Sequence, residues 1–474
     1  VGPILSQHGA SIDRTAVGHA APSLYTAANS EGGIMEAIDT LIDARWVVPV
    51  EPANVVLEEH SIAVRDGRIV AILPTAEALQ RFSARAHRRL PGHALVPGLV
   101  NAHTHAAMTL MRGYADDVPL MTWLNEHIWP AEGRYVSREF VYDGGLLGMA
   151  EMLRGGVTCI NDMYLFPEAT ARAAIKIGMR AVIGMPVIDF PSSYAQTFDE
   201  YIDKGLELHD EFQNHPLIST AFAPHGPHTV STEGLERVRT LSDELELAVH
   251  IHVHETADEV EQVMQTHGVR PFDVLDRVGL ISPSLIAVHM TQLTDAEIAR
   301  LAEAGSHVVH CPESNLKLAS GFCPTEKLRK AGVNLAIGTD GAASNNDLDM
   351  FGEMRTAALL AKGVAQDAAA MPAAAALEAA TLGGARALGL SELIGSLVVG
   401  KYADITAVDL SGLESEPVYN PVSQLVYAGN RSQVSDVWVA GRHLVKDGKL
   451  TALDSETVLT KAREWRAKLL EERT

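Results

Sequence analysis

Histidines and acidic residues in this chain recur where short apolar runs end. The first run reads Pro97-Gly98-Leu99-Val100-Asn101-Ala102-His103-Thr104-His105. In an extended chain, residues two apart project from the same face, so His103 and His105 can reach one point just beyond a buried strand. Later runs end in Pro224-His225-Gly226-Pro227-His228, in His250-Ile251-His252-Val253-His254-Glu255, at His289, at His310 and at Gly338-Thr339-Asp340-Gly341. Neutral imidazoles with one carboxylate suit zinc, ahead of iron or cobalt. A structural zinc site would favour four Cys or His ligands at short spacing. Here the donors are spread from His103 to Asp340 and include an acid, which leaves room for water and points to metal-assisted hydrolysis.

The elements that must position these residues follow from periodicity. Eight apolar runs (94–100, 156–160, 180–188, 218–223, 247–253, 285–288, 306–309 and 334–337) alternate with amphipathic helical patterns such as 233–247, 295–304 and 349–365. Near-continuous apolar strands imply a parallel sheet covered on both faces. Eight such units favour a closed (β/α)8 TIM barrel, whose strand ends share one face; an open doubly wound sheet is the alternative. Residues 37–73 and the stretch after Asp404 instead read as short β-branched strands, with turns at Asp66-Gly67, Ala440-Gly441 and Asp447-Gly448. The two stretches are expected to pair as a small β-sandwich. The predicted organisation is a disordered extension or tag remnant over 1–34, a composite β-sandwich from 35–96 and 396–455, a metal-dependent barrel over 97–395 and a C-terminal helix over 456–474.

The ordered set His103-Thr-His105, His252-Val-His-Glu255-Thr, Ala287-Val-His289 and Gly338-Thr-Asp340-Gly-Ala resembles the amidohydrolase superfamily. Within it, the chain is similar to the 5′-methylthioadenosine/S-adenosylhomocysteine deaminases and related nucleoside deaminases. The likeness runs from about residue 36 to 455. It includes Trp123-Leu-Asn-Glu-His-Ile-Trp-Pro-Ala-Glu132, His310-Cys-Pro-Glu-Ser-Asn-Leu-Lys-Leu318 and Gly395-Ser-Leu-Val-Val-Gly-Lys-Tyr-Ala-Asp404. It implies His103, His105, His252 and Asp340 as ligands of one zinc ion per subunit. By spacing alone His250, His252 and His254 share a face and any could be the ligand. The family places its ligand three residues before the catalytic Glu, which selects His252, with His254 next, and requires the strand to break after His252. The resemblance further implies that Asp340 accepts a proton from water activated by the metal, that Glu255 passes a proton to the ring nitrogen beside the attacked carbon, and that His289 supports the attacking oxygen. Glu132 would accept hydrogen bonds from both ribose hydroxyls, and His225 and Trp123 would also meet substrate. The implied reaction is hydrolytic deamination of an adenosine-type nucleoside at C6.

One departure bears on the 5′ substituent. Relatives that accept S-adenosylhomocysteine are expected to carry arginine near the third strand, whereas here Arg180 precedes that strand and the next arginine is Arg237. The intervening Val182-Ile-Gly-Met-Pro-Val-Ile-Asp-Phe-Pro191 suits 5′-methylthioadenosine or adenosine better than a charged tail. The alternatives are hydrolysis of another ring (guanine-type, cytosine or s-triazine) and a non-catalytic scaffold on the same fold. A net charge of −22 disfavours nucleic acid and anionic membranes as partners. Three cysteines without a Cys-x-x-Cys pair fit a reducing cytoplasm, and a homo-oligomer is expected. Gly395–Lys401 mimics a phosphate loop, but Tyr402 follows where Ser or Thr is required. Cys311 beside His310 reads as a buried thiol rather than a nucleophile.

Overall fold

The computed structural model describes residues 35–471, so the expectations for 1–34 and for the last three residues lie outside the described residues. Among the described residues, sixteen strands divide into two sheets of eight. One is built from β1 (Glu36–Val47), β2 (Leu57–Arg65), β3 (Arg68–Pro74) and β4 (Phe82–Pro97), joined to β13 (Ile405–Asp409), β14 (Val434–Val439), β15 (Arg442–Lys446) and β16 (Lys449–Leu450). The other runs β5 (Leu99–Thr104), β6 (Val157–Asp162), β7 (Arg180–Val187), β8 (Ile218–Pro224), β9 (Val249–Val253), β10 (Leu285–His289), β11 (His307–His310) and β12 (Asn334–Ile337), in sequence order and parallel throughout. A parallel bridge between Thr104 and Asp340 joins the ends of this second sheet. It is a (β/α)8 barrel with an additional sheet beside it.

The two terminal segments meet where β13 pairs antiparallel with β4, Ile405 opposite Pro97 and Val408 opposite Ala94. Trp438 of β14 packs in one core with Ile42, Ile62, Ile69 and Leu95, so the continuous sheet folds over its own apolar face. Its hairpins turn at Asp66-Gly67, Ala440-Gly441 and Asp447-Gly448, where both residues of each pair have positive φ, the requirement of a two-residue turn that matches strand twist. The apolar run 94–100 is not one strand. Residues up to Pro97 finish β4, and Leu99 opens the barrel. Both halves are buried, so hydropathy does not mark the crossing. Gly98 marks it instead: a Cβ there would lie 2.1 Å from Thr158 Oγ1.

Candidate active site

The carboxyl ends of the barrel strands converge on a cleft of about 360 Å³ lined by His105, His225, His252, Glu255, His289, Asp340 and Glu132, among others. His103 and His105 leave β5 on the same side. His103 Nε2 lies 3.3 Å and His105 Nε2 3.1 Å from Asp340 Oδ1. His252 Nε2 lies 3.3 Å from His103 Nε2. His289 joins from β10, with its donor nitrogen within 4.8 Å of those of His103 and His252. Of the three histidines around β9, His252 enters this cluster. His250 stands behind it, its Nε2 2.9 Å from His103 Nδ1. The strand runs one residue further than expected, to Val253, and breaks at His254, whose φ is 55°. That turn carries His254 away, and its Nε2 accepts the Phe272 N–H at 3.2 Å.

The tautomers show what the cluster is built to hold. His252 Nδ1 lies 2.8 Å from the carbonyl of His225, and His105 Nδ1 contacts the carbonyl of Met163. His289 Nδ1 is 2.9 Å from Asn315 Oδ1. An oxygen of this kind only accepts, so each Nδ1 carries a proton and each Nε2 is turned inward, where a neutral ring offers its lone pair. Lone pairs then face one another and a carboxylate across about 3 Å, an arrangement that a cation relieves. Donors held 2.0–2.1 Å from a tetrahedral metal are about 3.3 Å apart, close to the His103–Asp340, His105–Asp340 and His103–His252 separations; the donors form two groups that share His103. Burial disfavours charge on His105, yet Asp340 outweighs it and raises the imidazole to about 9, while burial lowers His103 to about 4. Inward-facing nitrogens around one buried carboxylate call for positive charge, and burial denies it to His103. The residues present therefore fit a divalent metal.

Supporting groups complete the geometry. Asp340 Oδ2 accepts hydrogen bonds from Ser314 Oγ at 2.7 Å and Ser344 Oγ at 2.8 Å, leaving Oδ1 toward the histidines. Asp162, at the end of β6, accepts the Ala106 N–H at 2.7 Å and so anchors the backbone just after His105. Burial raises this carboxyl to about 6. Glu255 Oε2 lies 3.9 Å from His289 Nε2, and burial raises its carboxyl above the ordinary value, with His289 acting in the opposite direction. Glu255 does not cap the helix Ala257–His267. Thr256 does, its side chain accepting the Glu259 N–H.

Glu132 and Trp123 come from the segment after β5. Trp123–Ile128 forms a π-helical turn leading into the helix Trp129–Tyr135, a distortion frequent at functional sites. The Tyr164 hydroxyl donates to Glu132 Oε1 at 2.7 Å. Trp123 is buried and donates its indole N–H to the Ala115 carbonyl, so its ring is a wall of the cleft rather than a polar contact. His225 lines the cleft with Nδ1 2.9 Å from Thr229 Oγ1. Sequence reasoning missed Asp162 and Tyr164, although the rule that found the histidines applies to them: both sit where β6 ends. Asn315, Ser314 and Ser344 carried no signal, since their chemistry is ordinary and only packing brings them here. The phosphate-loop mimic is a turn in which Lys401 Nζ reaches Ser396 and Glu51. Cys311 is fully buried, with its thiol pushed up by burial.

A barrel carrying histidines and an aspartate at its carboxyl-terminal rim defines a metal-dependent hydrolase. Residues 94–444 match the amidohydrolase family, and the chain belongs to it. Among similar proteins, a 5-methylthioadenosine/S-adenosylhomocysteine deaminase of Teredinibacter turnerae is 51% identical over 91% of this chain and 98% of its own length. A protein of the same name from Saccharophagus degradans is 48% identical over 92% and 98%. The crystal structure of an adenosine deaminase from Xanthomonas campestris with bound zinc superimposes with a TM-score of 0.91 at 56% identity, covering 92% of this chain and 99% of that one. An atrazine chlorohydrolase from Arthrobacter aurescens, 23% identical with a TM-score of 0.84, shares the fold over 90% of this chain and all of its own. Among the described residues no helix is long and apolar enough to cross a membrane.

Proposed function

We propose that this protein deaminates an adenosine-type nucleoside by hydrolysis at C6, releasing ammonia and the inosine analogue, with one zinc ion held by His103, His105, His252 and Asp340. The observation that carries this reading is the placement of Glu132 in the same cleft as Glu255 and the donor cluster. A carboxylate can accept from both hydroxyls of a vicinal diol, and the Tyr164 hydroxyl steadies Glu132 for that task. Zinc in this centre supplies Lewis acidity that makes water ionisable near neutral pH. Asp340 accepts the proton released, its Oδ2 already steadied by two serines. Glu255, on the cleft wall, protonates the ring nitrogen next to C6, and His289 holds the attacking oxygen in line, oriented in turn by Asn315. His225 meets the substrate from the end of β8.

The 5′ end of the nucleoside meets an apolar wall. Ile188, Phe190 and Pro191 follow β7, and Trp129 stands edge-on to Phe190 with ring centroids 6.4 Å apart. Among the described residues lining the cleft there are several carboxylates and no arginine or lysine. This supports 5′-methylthioadenosine and adenosine as preferred substrates over S-adenosylhomocysteine, whose carboxylate finds no cation here. The deciding experiment is ammonia release from a panel of adenosine, 5′-methylthioadenosine, S-adenosylhomocysteine, adenine, guanine, cytosine and an s-triazine, with metal content measured on the same sample. Faster turnover of a free base or of the triazine than of any nucleoside would overturn the reading. The free, buried thiols of Cys159, Cys311 and Cys323 suit a reducing compartment such as the cytoplasm.

A further inference from the structure

Glu259 is buried in the first turn of the helix Ala257–His267, yet its carboxylate departs from the usual capping arrangement. In a capping box the acid at the third helical position returns to the backbone N–H of the capping residue, here Thr256. Glu259 reaches past it. Its Oε2 accepts the N–H of Glu255 at 2.6 Å, and its Oε1 accepts the N–H of His254 at 3.3 Å. The other edge of this turn is held from the loop after β10, and the His254–Glu255 peptide is gripped from both sides. Thr291 donates its backbone N–H to the carbonyl of His254 at 2.9 Å, and its hydroxyl lies 2.7 Å from the carbonyl of Glu255. Between these two holds lies His254 in the left-handed region, a conformation that persists in a non-glycine residue only when its surroundings enforce it.

We infer that Glu259 and Thr291 form a two-sided backbone clamp that positions Glu255 for proton transfer. Neither residue needs to touch the reacting atoms. Strand β9 ends at Val253, so beyond the Thr291 N–H the peptide that carries Glu255 is oriented by the side chains of Glu259 and Thr291. Without the clamp, the turn at His254 relaxes and the Glu255 carboxyl swings relative to His289. Proton transfer is steep in distance, and a displacement of about 1 Å costs on the order of a hundredfold in rate. The metal donors are held by other contacts, so their affinity for metal should not follow. This inference rests on the reading of Glu255 as the proton donor.

The test is a double-mutant cycle with Glu255→Gln, Glu259→Ala and the two together, alongside Thr291→Val and Glu259→Gln. Metal content and calorimetric binding of the product nucleoside are followed with kcat and KM on 5′-methylthioadenosine. The clamp predicts that Glu259→Ala lowers kcat about tenfold to a hundredfold, changes KM less than about threefold, and leaves metal content and product binding intact. It predicts no further loss when Glu259→Ala is added to Glu255→Gln, because the positioned group is already gone. Glu259→Gln keeps one acceptor oxygen for the Glu255 N–H and should recover most of the rate, and Thr291→Val should follow Glu259→Ala in kind. Equal losses in the two backgrounds would make Glu259 merely structural and overturn the clamp, leaving Glu255 in its role. Wild-type turnover by Glu255→Gln would overturn the role of Glu255 and the clamp with it. If Glu259→Ala does not fold, the Thr291→Val and Glu255→Gln cycle decides in the same way.

Discussion

The backbone N–H of Asp340 donates to the carbonyl of His103 at 3.1 Å, closing the barrel at the same point where the two side chains meet. The seam between first and last strands and the putting together of the donor cluster are thus one event. Gly338 permits it, since a Cβ there would lie 2.8 Å from both the N and the O of His103. A substitution at Gly338 would open the seam and spread the donors, so the metal centre and the closed barrel stand or fall together.

Asp340→Asn should abolish turnover and lower bound zinc, because it removes the donor set's negative charge and the proton acceptor at once. Elemental analysis with a deamination assay checks both. Chelation of the wild-type enzyme should lower its melting temperature, since a ligand bound only by the folded state stabilises it by mass action. Asp340→Asn should show a much smaller drop on chelation.

Glu255→Gln should retain zinc and lose about 10²–10⁴-fold in kcat, the range for removing a positioned acid or base. Loss of metal in this variant would mean that Glu255 supports the donors rather than the proton transfer.

Glu132→Ala should raise KM for ribonucleosides at least tenfold while changing turnover of free adenine little. Tyr164→Phe should act in the same direction and more weakly, because it removes only the 2.7 Å hydrogen bond that orients Glu132. Comparing adenosine with its 2′- and 3′-deoxy analogues shows whether the carboxylate engages both hydroxyls.

Phe190→Arg places a cation in the apolar wall after β7. The kcat/KM ratio of S-adenosylhomocysteine to 5′-methylthioadenosine should rise about tenfold or more, the size expected when a charged partner is supplied to a charged group. An unchanged ratio would locate the 5′ tail elsewhere in the cleft.

Acid should weaken the sheet beside the barrel through Asp436. Burial pushes this carboxyl up, but hydrogen bonds with His443 and Arg88 outweigh it and hold the group at about 2. A depressed folded value means that the stabilisation is fully present above about pH 4 and is lost as pH falls toward 2. Asp436→Asn should therefore have a lower melting temperature than wild type at pH 6, and the gap should narrow between pH 4 and 2.

Much of this molecule was legible one residue at a time. The barrel strands were readable because a strand buried on both faces must be apolar along its length, and the hairpins because Asp-Gly and Ala-Gly pairs supply the positive φ that tight turns need. His103, His105, Glu255 and Asp340 were visible as unusual chemistry at the ends of such runs. What sequence alone determined was therefore local: element type, turn chemistry and the inventory of donors. The tertiary structure decided which of His250, His252 and His254 faces the cluster, because His250 lies deeper, behind His103, and the left-handed His254 turns out of the strand. It decided that the run 94–100 belongs to two sheets, because hydropathy reports burial and not the partner that provides it. It also brought Asn315 behind His289 and Ser314 and Ser344 onto Asp340. Those groups are ordinary in type and distant in sequence, and their function exists only as distance and orientation, which closure of the barrel creates.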